Sequence, residues 1–156
     1  MAKRQIFYTF HFDNDVFRVQ QIRNMGALEE NKPVSPNEWE EVKRGGEAAI
    51  ERWIEDNMKN RSCVVVLVGT ETANRKWVKH EIKKAWNDGK GVVGIHIHNL
   101  KCPRNGTCAK GPNPFNQFAN LSGKVKCYDP GADAYNYIKK NIEDWVEEAI
   151  RIRNSN

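Results

Sequence analysis

The stretch that decides the fold is "CVVVLVGTETANRKWVKHEIKKAW", residues 63–86. It begins with a continuous apolar, β-branched run (63–69), which is typical of a strand buried on both faces of a parallel sheet. A helical pattern follows (74–88), in which Val78, Ile82 and Ala85 define the face that turns toward the sheet. Because only "TETA" separates the two, the pattern predicts a strand followed directly by the helix that packs on it.

The same alternation continues on both sides of this unit. The elements predicted before it are a strand (5–12), a helix (13–25) with Asp13 or Asp15 as candidate cap, a loop (26–37) with room for a short edge strand, and helical sequence (37–60) that Gly45–Gly46 divides. The elements predicted after it are a strand (91–99), a long loop (100–123), a short strand (124–128) and an amphipathic C-terminal helix. We therefore predict one doubly wound α/β domain over residues 1–156, with a mainly parallel sheet and helices on both faces.

The composition is that of a soluble globular protein rather than a nucleic-acid binder. Hydrophobic residues make up 39% and charged residues 29%, and the net charge of +5 comes from 25 basic and 20 acidic residues that are interspersed. A nucleic-acid surface needs a clustered basic patch, and no apolar stretch has the length to cross a bilayer. Because the first ten residues are too polar for a secretory signal and the cysteines suit a reducing compartment, we expect a cytoplasmic protein that binds neither nucleic acid nor membrane.

The carboxyl ends of the predicted strands are where an open α/β sheet binds its ligand. The polar side chains at these ends are His11, Asp13, Thr70, Thr72, His98 and Asn99. Three familiar signatures are missing from the sequence, namely the glycine fingerprint of dinucleotide binding, the P-loop and the nucleophile elbow of hydrolases. The sequence thus argues against a Rossmann-type dinucleotide site and against P-loop chemistry.

Two pairs of candidate metal ligands leave alternatives open. His96 and His98 alternate along a predicted strand, so both rings lie on one face, a pattern that occurs in metal sites. Since no third ligand is suitably spaced, rings that hydrogen-bond inside the core are the simpler interpretation, and we expect no metal. Cys102 and Cys108 flank the turn at Asn105-Gly106 and fit free thiols, a disulfide or half of a zinc site.

Glu81 lies near the end of a buried strand, with an aromatic residue one turn before it. It is roughly 80° from the centre of the apolar helix face, and Trp77 is on the same flank. One interpretation is a solvated glutamate paired with Lys79 or Lys84. The other is a half-buried carboxylate at the rim of the crevice, where partial desolvation raises its pKa. Periodicity alone favours the solvated glutamate, because most glutamates on helices are of that kind.

Four segments, in this order, carry a resemblance to a known family: "IFYTFHFDND" (6–15), "SCVVVLVGTETANRKWVKHEI" (62–82), "GVVGIHIHN" (91–99) and "KGPNPF" (110–115). The most specific motifs are W-V-x-x-E-I, from Trp77 to Ile82, and G-I-H-I, from Gly94 to Ile97. Together they resemble the prokaryotic TIR-like family, whose members include the TIR subunit of the Thoeris antiphage defence system. The resemblance extends over nearly the whole chain and implies a flavodoxin-like fold.

The resemblance also implies an activity, namely cleavage of the nicotinamide–ribose bond of NAD. The essential glutamate of the family falls on Glu81. In Thoeris-like members the ADP-ribose product is cyclised or conjugated into a signal that activates a partner effector. The expected partners are therefore NAD as substrate, a nucleotide-sensing effector, a phage-derived trigger and further copies of the chain in an active homo-oligomer.

This chemistry suggests roles for the other candidate site residues. Cleavage passes through an oxocarbenium-like ribose, which a carboxylate at Glu81 would stabilise. Asn99 and His98 would position the attacking hydroxyl. The substrate-binding candidates are Phe7, Phe10, His11, Asp13, Thr70 and Trp77, whose aromatic members would form walls. Three arginines, Arg18, Arg44 and Arg75, are equal candidates for holding the pyrophosphate.

Two rival hypotheses belong to other functional classes. Many TIR domains are adaptors, so the first rival is a non-catalytic interaction module that assembles through its helices. The second is a flavodoxin-like binder of a flavin or nucleotide, for which the sequence lacks the expected aromatic and acidic loop pattern.

Overall fold

The computed structural model describes residues 4–26, 29–30, 41–101 and 106–156, without the side chains of residues 12–14, 16, 29 and 30. The strands are β1 (Gln5–Thr9), β2 (Glu29–Glu30), β3 (Cys63–Val68), β4 (Gly91–His96) and β5 (Cys127–Tyr128). The helices are α1 (Phe12–Arg23), α2 (Gly46–Met58), α3 (Lys76–Asn87) and α4 (Ala134–Asn154), with 3₁₀ turns at Thr72–Asn74 and Pro114–Gln117. In this part of the chain the sheet has the order β2-β1-β3-β4-β5, and every pairing is parallel.

β3 is the central strand because its sequence suits burial on both faces. Its six residues, Cys63–Val68, are completely buried. β1 pairs with it on one side, where Thr9 lies opposite Val66, and β4 pairs on the other, where Val68 lies opposite His96. β-Branched side chains fill the pleated surface well, and parallel strands of this kind need cover above and below.

Helices supply that cover on both faces of the sheet. The core between the sheet and α1 and α4 includes Tyr8, Val65 and Ile95. The core on the opposite face includes Phe7, together with residues of α2 and α3. Because side chains alternate along a strand, Thr9 points to the same face as Phe7, which is the face that α3 covers. No helix in the described residues is long and apolar enough to cross a membrane.

The structure confirms the predicted α/β fold and shifts some element boundaries. The helix predicted from residue 74 is a 3₁₀ turn followed by α3, and the glycine stop after it is real, since Gly89 has φ of 81°. The strand predicted to reach residue 99 ends at His96, because β3 ends at Val68 and offers no further pairing partner. The predicted division at Gly45–Gly46 is also present, with residues 41–44 helical before α2 begins.

Candidate active site

The strand order marks one place on the sheet edge where a ligand crevice is expected. In a 2-1-3-4-5 sheet the connections leave β1 and β3 toward opposite faces, and ligands bind beyond the carboxyl ends of those two strands. Thr9 is the last residue of β1, and Glu81 of α3 faces its hydroxyl. The candidate carboxylate therefore lies at the position that the topology favours.

The Glu81 carboxyl is more deeply buried than the helix pattern predicted, with only 8% of the residue exposed. Burial raises its pKa to about 8, and the Thr9 hydroxyl offsets a part of this shift. That contact is looser than a standard hydrogen bond, because the buried Thr9 Oγ1 has no partner of normal geometry. The interpretation of Glu81 as a solvated glutamate paired with lysine is therefore wrong. The carboxyl is a buried acid that is mostly neutral at pH 7.

The predicted aromatic walls differ in their positions relative to Glu81. Trp77 is half-buried one turn before it on α3, with Lys76 Nζ 5.2 Å from its ring centroid and the His80 ring 5.4 Å away. Phe7 is buried two residues before Thr9 and packs edge-on against Trp53 at 6.2 Å. Phe10 packs on the opposite face of the sheet, where Arg23 lies 5.4 Å from its ring centroid. The structure thus brings Trp77 and Phe7, but not Phe10, to the face that carries Glu81.

The predicted nucleophile-positioning residues lie at the end of β4. His98 is buried, and its ring is 5.8 Å from that of His96. The Asn99 amide donates to the Gly131 carbonyl oxygen at 3.0 Å, which ties it to the loop before α4. His96 Nε2 is 3.4 Å from the Cys127 thiol, and burial lowers the pKa of His96 to about 4. His96 and Cys127 thus form a neutral pair beside β5.

Comparison with known proteins identifies the family. The sequence model of the family described as "Thoeris protein ThsB, TIR-like domain" matches residues 7–102. The chain belongs to the ThsB TIR-like family. It is also 37% identical over 120 residues to "Putative cyclic ADP-D-ribose synthase ThsB1" of Bacillus cereus (strain MSX-D12), an alignment that covers 74% of this chain and 62% of that protein. The chain therefore spans less than two thirds of the length of that relative.

In this ThsB-like chain, a segment of the predicted long loop covers the carboxyl ends of β3 and β4. We call this segment, residues 106–111, the strap. The Cys108 amide donates to the His98 carbonyl oxygen at 2.9 Å, and the Thr70 hydroxyl donates to the Ala109 carbonyl oxygen at 2.6 Å. A Cβ added to Gly111 would lie 2.1 Å from the Gly69 carbonyl oxygen, so the strap touches the turn after β3. The predicted binding residue Thr70 is therefore engaged with the strap.

The sequence pattern did not reveal a buried ion pair between Asp15 and Arg18. Asp15 was a candidate helix cap, but it lies 3.4 Å from Arg18 Nη1, and both side chains are at least 96% buried. Arg18 also donates from Nε to the Leu100 carbonyl oxygen and from Nη2 to that of Gly106, each at 2.9 Å. Because these bonds occupy its guanidinium, Arg18 is a poor candidate for holding a pyrophosphate. Its spacing of three residues from Asp15 on one helix was the available signal.

The other sequence-based predictions for the site concern His11, Asp13, the cysteines and a metal. His11 is buried at the start of α1, whereas the side chain of Asp13 and all of Cys102 lie outside the described residues. Cys108 carries a free thiol. Among the described residues no group of three or more His, Cys, Asp or Glu side chains is placed to hold a metal ion.

A surface groove of about 310 Å³ lies elsewhere on the molecule. It is lined by the second half of α3, the end of the second 3₁₀ turn and the residues after that turn: Lys83, Trp86, Asn87, Gln117, Phe118, Ala119, Asn120 and Leu121. None of these residues is part of the sheet edge at Thr9 and Glu81. We base the candidate site on the buried carboxyl and the strand order rather than on this groove.

Proposed function

We propose that this protein cleaves the nicotinamide–ribose bond of NAD and converts the ADP-ribose part into a cyclic or conjugated signalling nucleotide. The observation that carries the proposal is the Glu81 carboxyl, which is buried against Thr9 at the switch point of the sheet. Membership of the ThsB TIR-like family supports it, as does the similarity to a protein named as a cyclic ADP-D-ribose synthase.

The chemistry matches what one buried carboxylate provides. As the bond between ribose C1′ and the nicotinamide nitrogen breaks, its electron pair neutralises the ring nitrogen and leaves positive character on the sugar. An ionised Glu81 beside the ribose stabilises that developing charge, and the low-dielectric surroundings strengthen the interaction. Nicotinamide leaves as a neutral molecule, so the step requires neither a strong general acid nor a metal.

The substrate itself supplies the charge that Glu81 lacks. The carboxyl has a pKa of about 8 because it is desolvated, which favours the neutral form at pH 7. The nicotinamide ring of NAD is cationic, and an opposite charge within a few ångströms favours the ionised carboxylate. Binding of NAD therefore lowers the pKa of Glu81 and generates the reactive form where it is needed.

The fate of the sugar depends on what reaches C1′ after nicotinamide leaves. Exclusion of water favours attack by a hydroxyl of the same molecule over hydrolysis. His98 and Asn99 remain our candidates for positioning that nucleophile. Trp77 and Phe7 are the better placed aromatic walls, while Phe10, His11, Asp13 and Thr70 remain weaker candidates for binding the substrate.

The proposed setting is an antiphage response in the cytoplasm. In it a phage-derived trigger activates the protein, the protein assembles as a homo-oligomer, and a nucleotide-sensing effector receives the product. NAD is the substrate, and neither nucleic acid nor a membrane is a partner.

The test compares wild type with Glu81→Gln and with a matched control, Glu55→Gln, which removes an exposed carboxylate from α2. Each protein is incubated with NAD, with and without lysate from phage-infected cells, and products are read by mass spectrometry. We expect nicotinamide release in the wild type and in the control, and a loss of about 10³-fold or more in Glu81→Gln. Circular dichroism checks that all three are folded.

Two results would contradict the proposal. One is nicotinamide release by Glu81→Gln at the rate of the wild type. The other is the absence of NAD turnover under every trigger, together with partner binding that survives Glu81→Gln. The second result would favour a non-catalytic interaction module.

A further inference from the structure

We propose that the Asp15–Arg18 ion pair is a positioning device for the Glu81 site, which ties the turn before α3 and the strap to α1. The inference rests on the proposed function only for its catalytic consequence. The tie itself is a claim about structure that holds or fails separately.

The first side of the tie reaches the helix of Glu81. Asp15 Oδ2 is 3.5 Å from the Thr72 hydroxyl, and Thr72 Oγ1 accepts a hydrogen bond from the Gly69 amide at 2.8 Å. Thr72 also begins the 3₁₀ turn that leads into α3. A Cβ at Gly69 would lie 2.2 Å from Asp15 Oδ2, so the turn leaves space for this carboxylate only because the residue is glycine.

The second side reaches the strap and the end of β4. Arg18 donates to the backbone of Leu100 and to that of Gly106, the first residue of the strap. One guanidinium thereby joins α1 to two positions that flank residues 102–105. At its other end the strap is joined to the residue that follows β5, because Lys110 Nζ is 3.0 Å from Asp129 Oδ2. The strap is therefore held near both ends, by the buried Arg18 at Gly106 and by the exposed Lys110 at the other end.

The energetics argue that this pair serves geometry rather than stability. Burying two charges costs about as much as their attraction returns, so a well-packed apolar pair of similar volume is often equally stable. Burial raises the pKa of the Asp15 carboxyl, and the Arg18 guanidinium and Thr72 hydroxyl offset this in part. What an apolar pair cannot reproduce is the set of directed bonds to Leu100, Gly106 and Thr72. Those bonds hold the strap, the end of β4 and the turn before α3 in one arrangement.

The strap contains its own reporter, because Cys108 is a free, half-buried thiol whose amide bonds to His98. Arg18→Lys keeps the charge opposite Asp15 but cannot reach both carbonyl oxygens. The double variant, Arg18→Met with Asp15→Leu, removes the pair at similar volume. Because it leaves no buried charge without a partner, it should fold even if the single variant does not. The matched control is Arg4→Lys, at an exposed pair with Glu147.

The experiment measures alkylation of Cys108 by iodoacetamide, resolved by peptide mass spectrometry, in the full-length protein. We expect labelling of Cys108 to rise about tenfold in both Arg18 variants and to stay unchanged in Arg4→Lys. Cys63 is completely buried and reports global unfolding, so it should stay unlabelled throughout. In the same variants kcat for NAD should fall about tenfold while KM changes little.

The outcomes separate the two claims. Unchanged Cys108 labelling in both Arg18 variants would overturn the tie, whatever the substrate is. Faster labelling with an unchanged kcat would overturn the positioning role. If wild type turns over no NAD under any trigger, the proposed function fails, while the labelling result alone still decides whether the ion pair holds the strap.

Discussion

Two buried carboxylates lie at the same edge of the sheet, and they differ in what compensates their charge. Asp15 is 2% exposed and faces Arg18 and Thr72, whereas Glu81 is 8% exposed and faces a loosely placed Thr9 hydroxyl. Among the described residues no cation pairs with Glu81. A buried acid with its own cation serves the fold, whereas a buried acid without one is suited to a ligand that brings positive charge.

The sharpest way to break this comparison is to neutralise the paired acid. We expect Asp15→Asn to lower the free energy of unfolding by about 3–5 kcal/mol, because it leaves the Arg18 charge buried without a partner. Urea denaturation followed by circular dichroism measures the loss. Asp15→Leu with Arg18→Met should recover most of it, and Glu147→Gln at the exposed pair should cost less than about 1 kcal/mol. A stable Asp15→Asn protein would contradict the assignment of Asp15 as a structural charge.

Neutralising Glu81, the acid without a cation, should raise the free energy of unfolding instead of lowering it. The pKa of Glu81 is about 8 in the folded protein and near 4.5 when unfolded. Between these values the folded state holds a proton that the unfolded state has lost, so stability falls by about 1.4 kcal/mol for each unit that pH rises. Glu81→Gln should therefore be more stable than wild type at pH 7, by about 3 kcal/mol, and equally stable near pH 4.5. Equal stability of the two proteins at both pH values would show that Glu81 is solvated.

The pH dependence of catalysis should reflect the pKa of the same group, Glu81. Because kcat/KM follows the free enzyme, we expect it to rise about tenfold for each pH unit up to about 8 and then to level off. The profile of kcat should level off at lower pH, since bound NAD places a cation near the carboxyl. Initial rates of nicotinamide release between pH 5.5 and 9.5 test both, a range chosen to span about 1.5 units or more on each side of the expected value. Coincident profiles would argue against contact between Glu81 and the nicotinamide ring.

The smallest effect is expected at the other end of the edge, at the neutral pair of His96 and Cys127. Burial raises the pKa of the Cys127 thiol to about 12, so it faces His96 as a thiol. Cys127→Ala should cost about 1 kcal/mol or less, as for one neutral hydrogen bond, and should leave kcat unchanged. A tenfold loss of kcat in this variant would extend the catalytic site to the β5 side.

The sequence was informative where local pattern and burial coincide. The apolar run at Cys63–Val68 and the helical spacing of Val78, Ile82 and Ala85 were enough to predict the central β–α unit, and the position of Glu81 on the helix flank followed from them. How deeply that flank is buried was not predictable, because it depends on the end of β1, seventy-two positions away from Glu81. The helix pattern allows a solvated or a half-buried carboxylate, and the structure shows one that is almost completely buried.

The contacts of Arg18 show what pattern analysis lacks. Its partners at Leu100 and Gly106 are backbone carbonyl oxygens, 82 and 88 positions away, and backbone atoms leave no mark in the side-chain sequence. The strap is hidden for the same reason, since residues 106–111 have loop composition whether they cover the sheet edge or extend into solvent. The positions of candidate residues on regular elements were therefore easier to predict than those of residues held by loops.

Because Gly111 lies so close to the turn after β3, even a small side chain at position 111 would clash with that turn. A methyl group at position 111 collides with the Gly69 carbonyl oxygen, so Gly111→Ala would displace the strap from the sheet edge without altering any charge. A variant whose strap is displaced in this way would be a suitable protein for soaking crystals with dinucleotides.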